Sequence, residues 1–183
     1  EDNRNGIPTQ AILCLETGGV RLQEANLGLA AIADIHAAIV DLRRYVPVIG
    51  IIAGTVGCFG GMSIAAALCS YLIVTREARL GLNGPQVIEQ EAGIEEYDSR
   101  NRPFIWSLTG GEARYRTGFV DALVDDSLAA VRKAATDCIA MGRPASLRCE
   151  RYDDYLEKLN AFDTREQASA ERAAALFGKG ERS

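Results

Sequence analysis

Residues 48–53 and 71–74, Val-Ile-Gly-Ile-Ile-Ala and Tyr-Leu-Ile-Val, are apolar throughout and carry no charge. Strands of this kind do not alternate inside and outside, so both faces are buried, as in an α/β order. Between the two runs stand Gly54, Gly57, Gly60 and Gly61, then the small-residue helix opening Met62-Ser63-Ile64-Ala65-Ala66-Ala67. Glycines there cost conformational entropy, so the turn needs either positive φ or very close backbone approach. Small residues at the helix start let something come near its N-terminus.

The same unit occurs upstream. Residues 10–15 form a short apolar run that ends in Glu16-Thr17-Gly18-Gly19, and from Val20 to about Val46 the period changes to three and four. Leu22, Ala25, Leu29, Ile32, His36 and Ile39 make one face of a long helix, which Pro47 ends. Downstream, residues 79–82 read as a short strand and Gly84-Pro85 opens a short helix with proline in its first turn. The polar stretch 89–102 reads as a surface loop or short helix, and Thr109 with Glu112 reads as a cap-like start near Gly110. Residues 118–124 read as a strand. Ser127 to Met141 is an amphipathic helix through Leu128, Val131, Ala134, Ala135, Cys138 and Ile139, stopped by Gly142-Arg143-Pro144. The order is α/β. One domain over 1–150 and a charged helical tail over 151–183 are expected. The tail's apolar residues (Leu156, Leu159, Phe162, Leu176) are too sparse for a thick core, so it should lie against a partner or fray.

Composition excludes some functions. With 183 residues, net charge −5 and pI near 5.0, the chain argues against nucleic acid as its main partner. No apolar run reaches the roughly 20 residues that span a bilayer. The chain opens Glu1-Asp2-Asn3 without methionine or a signal-like segment, and reads as processed or as a fragment with more sequence ahead of it. Five scattered cysteines, without metal spacing, point to reduced thiols and a cytoplasmic home.

Catalytic side chains are scarce. No Gly-Lys-Ser/Thr follows the glycines, no Gly-x-Gly-x-x-Gly opens a helix with an acid some 20 residues on, and no Gly-x-Ser-x-Gly elbow occurs. His36 is the sole histidine, and its place on the apolar stripe suits a packed, hydrogen-bonded residue or a partner contact better than a base. Reckoned from Gly18-Gly19 it lies roughly 25 Å along its helix, away from an oxyanion turn. Two glycine pairs remain, Gly18-Gly19 and Gly60-Gly61. Each is either a tight turn packing strand on helix or a pair of N–H donors at a helix N-terminus, where the dipole favours an anion.

Two segments carry a family likeness. Residues 16–39, ETGGVRLQEANLGLAAIADIHAAI, resemble the Ser-Gly-Gly-Ala-Arg-Met/Ile-Gln-Glu segment of acyl-CoA carboxyltransferases. Residues 54–90 resemble their Gly-Gly turn and the Gly-Pro-x-Val-Ile-Glu segment that follows. Within that superfamily the chain looks most like the beta subunit of biotin-independent malonate decarboxylase. The resemblance implies a crotonase-like fold of stacked ββα units lacking the first N-terminal units. It implies Gly60 and Gly61 as the oxyanion turn, with Gly18 and Gly19 the pair that opens the preceding helix. Cys58, Phe59, Met62 and Arg21 then stand beside substrate or its carrier arm, and Arg76, Arg79, Arg100 and Arg102 are candidates for a local patch binding that arm. It implies no tightly bound cofactor and no metal. Malonyl is expected on the phosphoribosyl-dephospho-CoA arm of an acyl carrier subunit, and a gamma-like crotonase-fold subunit is expected to complete the site. Two alternatives stay open: a biotin-dependent carboxyltransferase beta subunit, and a non-catalytic scaffold half.

Overall fold

The computed structural model describes residues 10–17, 22–166 and 169–178. Gly18, Gly19 and Arg21 lie outside the described residues.

Four parallel strands form one sheet in the order β1 (Ala11–Cys14), β2 (Val48–Ile52), β3 (Tyr71–Thr75) and β4 (Ala122–Val124). Helix α1 (Ala25–Leu42), preceded by a 3₁₀ turn at Leu22–Glu24, connects β1 to β2, and α2 (Gly61–Leu68) connects β2 to β3. Three short helices, α3 (Pro85–Ala92), α4 (Arg102–Thr109) and α5 (Gly111–Arg116), lie between β3 and β4. Then come α6 (Leu128–Met141), a 3₁₀ turn at Arg148–Glu150, α7 (Tyr152–Asn160) and α8 (Ala170–Phe177).

Every residue of β2 and β3 is buried, which is why neither strand alternates in polarity. Successive side chains serve different layers. Val48, Ile52, Leu72 and Val74 pack with Ile39 of α1 and Ala65 and Ala66 of α2. Ile49, Ile51, Tyr71 and Ile73 pack with Ala135 and Cys138 of α6. Ile49, Ile52, Leu72 and Ile73 are fully enclosed, and each contributes about 1.5–3 kcal/mol by leaving water. The sheet is therefore the middle of three layers. Parallel pairing puts the C-terminal ends of β1, β2 and β3 at one edge, where the glycine turn leaves β2.

Two local readings change, at residues 79–82 and at Thr109, and one further helix appears between them. Residues 79–82 make only isolated bridges, Arg79 to Gly110 and Leu80 to Cys58, because the chain crosses the sheet edge there instead of extending it. Residues 102–109 are helical: Asn101 Oδ1 accepts the Phe104 N–H at 3.2 Å, and Pro103 sits in the first turn. Thr109 ends α4 rather than capping α5, and its hydroxyl donates back to Ile105 O at 2.9 Å. The tail also finds a seat on its own chain. Phe119 stacks on Tyr155 at 5.3 Å between centroids and meets Phe177 at 5.6 Å, so α7 and α8 rest on a ring just ahead of β4.

Candidate functional site

The glycine turn ends at Gly60, with φ 63° and ψ −143°, a combination that side chains almost never tolerate. A Cβ built there would meet nothing within 4 Å. Gly61 differs. Its backbone is helical, but a Cβ would stand 2.7 Å from Ile32 Cγ2 and 2.8 Å from Ile32 Cδ1. One glycine is required by conformation and the other by the closeness of α1.

Six hydrogen bonds fix the turn. Gly60 N–H donates to Leu82 O at 2.7 Å, while Cys58 N–H donates to Arg79 O and Gly81 N–H to Cys58 O. Gly60 O accepts from Ser63 N–H at 3.0 Å and from Ser63 Oγ at 2.6 Å. Gly61 O accepts from His36 Nε2 at 2.9 Å. The N–H groups of Gly61 and Met62, first in α2, have no acceptor among the described residues. Two free amides at a helix N-terminus can bind an oxygen anion, aided by the helix dipole.

These amides open on a cleft of about 1110 Å³. One wall is α1 through Gly28, Leu29 and Ile32; the floor is Phe59 to Met62. The far wall runs from Leu82 to Val87, ending in the first turn of α3, with Arg79 and Arg102 at the side. Phe59 and Met62 line this cleft. Cys58 does not line the cleft. It is fully buried between bridges to Thr17 and Leu80, and burial pushes its thiol up to about 12. Among the described residues no cluster of histidine, cysteine or carboxylate side chains is placed to hold a metal ion.

The four arginines separate. Arg76 lies near Glu112 and Asp125, and Arg100 near Asp98, all outside the cleft lining. Arg79 lines the cleft but is occupied: Nε and Nη2 donate to Thr55 O at 3.0 and 2.7 Å, and Nη2 also to Val56 O at 3.1 Å. Its guanidinium lies 4.6 Å from the Trp106 ring centre and 5.5 Å from that of Phe59. Arg79 therefore holds the 54–57 loop. Arg102 lines the cleft with its guanidinium near Trp106 and no carboxylate partner among the described residues.

His36 is not where helix length alone puts it. Measured along α1 from its start it is remote, but α1 packs side-on against α2, so Ile32, His36 and Ile39 face the second helix. The ring reaches the turn itself. Sequence reasoning also passed over Ser63, whose position three residues after a glycine N-cap was the available signal.

No family model matches the chain. It superposes on a chain of a Pseudomonas malonate decarboxylase hetero-tetramer in complex with malonate with TM-score 0.92 and 68% identity, covering 96% of this chain and 64% of that one. The match to a Pseudomonas malonate decarboxylase MdcD-MdcE hetero-dimer has TM-score 0.78 and 65% identity, over 87% of this chain and 65% of that one. Over 125 residues, 68% of this chain, it is 44% identical to the malonyl-S-ACP:biotin-protein carboxyltransferase MADC of Malonomonas rubra. The chain spans 39% of that relative's length. Parallel three-layer fold, glycine turn and these likenesses agree: the chain belongs to the carboxyltransferase, crotonase-like superfamily, with malonate decarboxylase beta subunits as close homologues.

Proposed function

We propose that the chain supplies the oxyanion-binding part of a malonyl-thioester decarboxylase, acting as a beta subunit on malonyl carried by an acyl carrier subunit. The observation that carries this reading is the pair of free amides, Gly61 and Met62, at the head of α2 and open to a large cleft. In the reaction, the bond between the malonyl carboxylate carbon and its methylene breaks. Its electron pair passes into the thioester carbonyl, so CO2 leaves and an enolate oxygen carries the charge. A proton added to the methylene carbon then gives the acetyl thioester. An amide donor aimed at such an oxygen is worth about 3 kcal/mol in the transition state. Of the sequence-predicted glycines, Gly60 shapes the turn and Gly61 donates; Gly18 and Gly19 are proposed as the second pair on the strength of the resemblance.

The carrier's phosphoribosyl-dephospho-CoA arm is proposed to enter along Phe59, Met62 and Arg102, with Arg21 a further contact. Cys58 supports the turn from within the core. A gamma-like crotonase-fold partner is proposed to complete the site and supply the proton, because among the described residues lining the cleft Glu24 is the one carboxylate and no histidine, cysteine, lysine or tyrosine accompanies it. Catalysis is proposed to need no tightly bound cofactor, in a cytoplasmic complex; no helix among the described residues is long and apolar enough to cross a membrane.

A second reading is favoured by the likeness to the Malonomonas rubra relative, a malonyl-S-ACP:biotin-protein carboxyltransferase. The same enolate would form, but the carboxyl group would pass to biotin instead of leaving as CO2. Malonyl-carrier decarboxylation assayed with and without the partner subunit, and with avidin, separates these. Activity only in the complex and insensitive to avidin is expected. Avidin inhibition would establish the biotin reading, and full turnover by this chain alone would remove the need for a partner.

A further inference from the structure

A backbone amide points where its peptide plane is held. In a trans peptide the C=O of one residue and the N–H of the next lie in one plane and point in opposite directions. The Gly60 carbonyl and the Gly61 N–H are thus two ends of one rigid unit, and the Gly61 carbonyl and the Met62 N–H are two ends of the next. Each carbonyl is gripped by a side chain. Ser63 Oγ donates to Gly60 O at 2.6 Å, and His36 Nε2 donates to Gly61 O at 2.9 Å.

We propose that Ser63 and His36 are positioning residues that aim the two oxyanion donors, Ser63 setting the Gly61 amide and His36 the Met62 amide. This rests on the glycine-turn reading of the preceding subsection. Backbone bonds hold the turn on one side, Gly60 N–H on Leu82 O and Ser63 N–H on Gly60 O, with Gly61 opening the α2 ladder, and the two side chains add the grip on the carbonyls. With no Cβ and open space around Gly60, sterics leave that backbone free, and the carbonyl hydrogen bonds set its plane. Both side chains are themselves fixed. Ser63 is buried, and His36 is half-buried on the stripe that packs against α2. The missing Cβ of Gly61 lets Ile32 approach, and that approach brings the imidazole, one turn further along α1, within reach of the carbonyl.

The geometry also limits what His36 does. A carbonyl oxygen only accepts, so Nε2 carries the hydrogen, and a nitrogen donating in this way has no lone pair for a proton. At Nε2 the residue orients; it is not a base.

The test uses the complex assembled with its partner subunit and a malonyl-loaded carrier. kcat and KM are measured for His36→Leu, His36→Gln, Ser63→Ala and Gly60→Ala, with thermal melts to confirm folding. Loss of aim should lower kcat about tenfold or more in His36→Leu and Ser63→Ala while KM stays within about twofold. His36→Gln, whose amide can donate to the same oxygen, should return kcat to within about threefold. If His36→Leu does not fold, Ser63→Ala carries the test alone, since it removes one oxygen. Full kcat in the folded Ser63→Ala and His36→Leu variants, with Gly60→Ala inactive, overturns the positioning role and leaves the site standing. A change confined to KM also overturns it. Wild-type kcat in folded Gly60→Ala removes the glycine-turn reading itself.

Discussion

A methyl group at residue 60 and one at residue 61 meet opposite surroundings. Residue 60 faces open space with a backbone only glycine adopts easily, whereas residue 61 lies against Ile32 in ordinary helical geometry. Small residues at the head of α2 mean that something comes close, and a larger side chain at 61 collides with it. The structure puts the collision inside the α1–α2 contact. Gly61→Val should therefore lower stability by about 1–3 kcal/mol, read as an earlier denaturant midpoint at unchanged slope. A wild-type midpoint would mean that α1 yields without cost, and would return the clash to the cleft. The glycine pair itself was legible, because glycine in a buried turn has to answer for its entropy. What each glycine answers to was not, since it depends on the distance between two helices whose contacting residues, His36 and Gly61, are 25 apart in sequence. The contact between His36 and Gly61 was hidden for the same reason: rise per residue locates a side chain along its own axis, never against a neighbour's.

At the scale of elements, β2, β3 and α6 follow their patterns closely. Unbroken apolar runs and a clean 3.6 period survive folding because burial enforces them. The polar stretch 89–102 reads as a surface loop or short helix, and Asn101 with Pro103 is the helix-start signal for α4 that this reading does not use. The acidic residues around it masked that signal. Residues 79–82, Arg-Leu-Gly-Leu, look like a short strand, yet their hydrogen bonds go to the glycine turn and to the end of α4. A side-chain cap opens α6. Ser127, extended at φ −139° and ψ 141°, accepts the Ala130 N–H at 3.2 Å. Ser127→Ala should cost about 1 kcal/mol, and Ser127→Asp, which caps equally well, should cost almost nothing. Thermal melts of the pair decide it, and equal melting temperatures for alanine and serine would show that the cap carries no weight.

Across the whole molecule, the cysteines report on the core. Cys58, Cys69 and Cys138 are buried, and desolvation pushes their thiols up from 9.0 to about 12, 11 and 11. Cys14 and Cys149 are exposed. An alkylating agent at pH 8 should modify the two exposed thiols promptly and the other three only after unfolding, as mass spectrometry of digested protein would show. Rapid labelling of Cys58 in the folded chain would contradict this packing. The linkage has a definite sign. Unfolded thiols release protons near pH 9 while the folded ones hold theirs, so their contribution to stability is whole below about pH 9. It is lost as pH rises through about 11 to 12. The order of the strands bears on how the molecule assembles. Pairing β2 with β3 joins Ile49 to Tyr71, while β1 to β2 joins Ala11 to Val48 and β3 to β4 joins Ile73 to Ala122. Loop-closure entropy grows with the logarithm of the span, so the middle pairing is easier than the last by about 0.7 kcal/mol. That unit, β2–α2–β3, contains the glycine turn. The donors are thus carried by the segment with the least chain to gather, and the walls of the cleft close around a turn whose own strands need the shortest search.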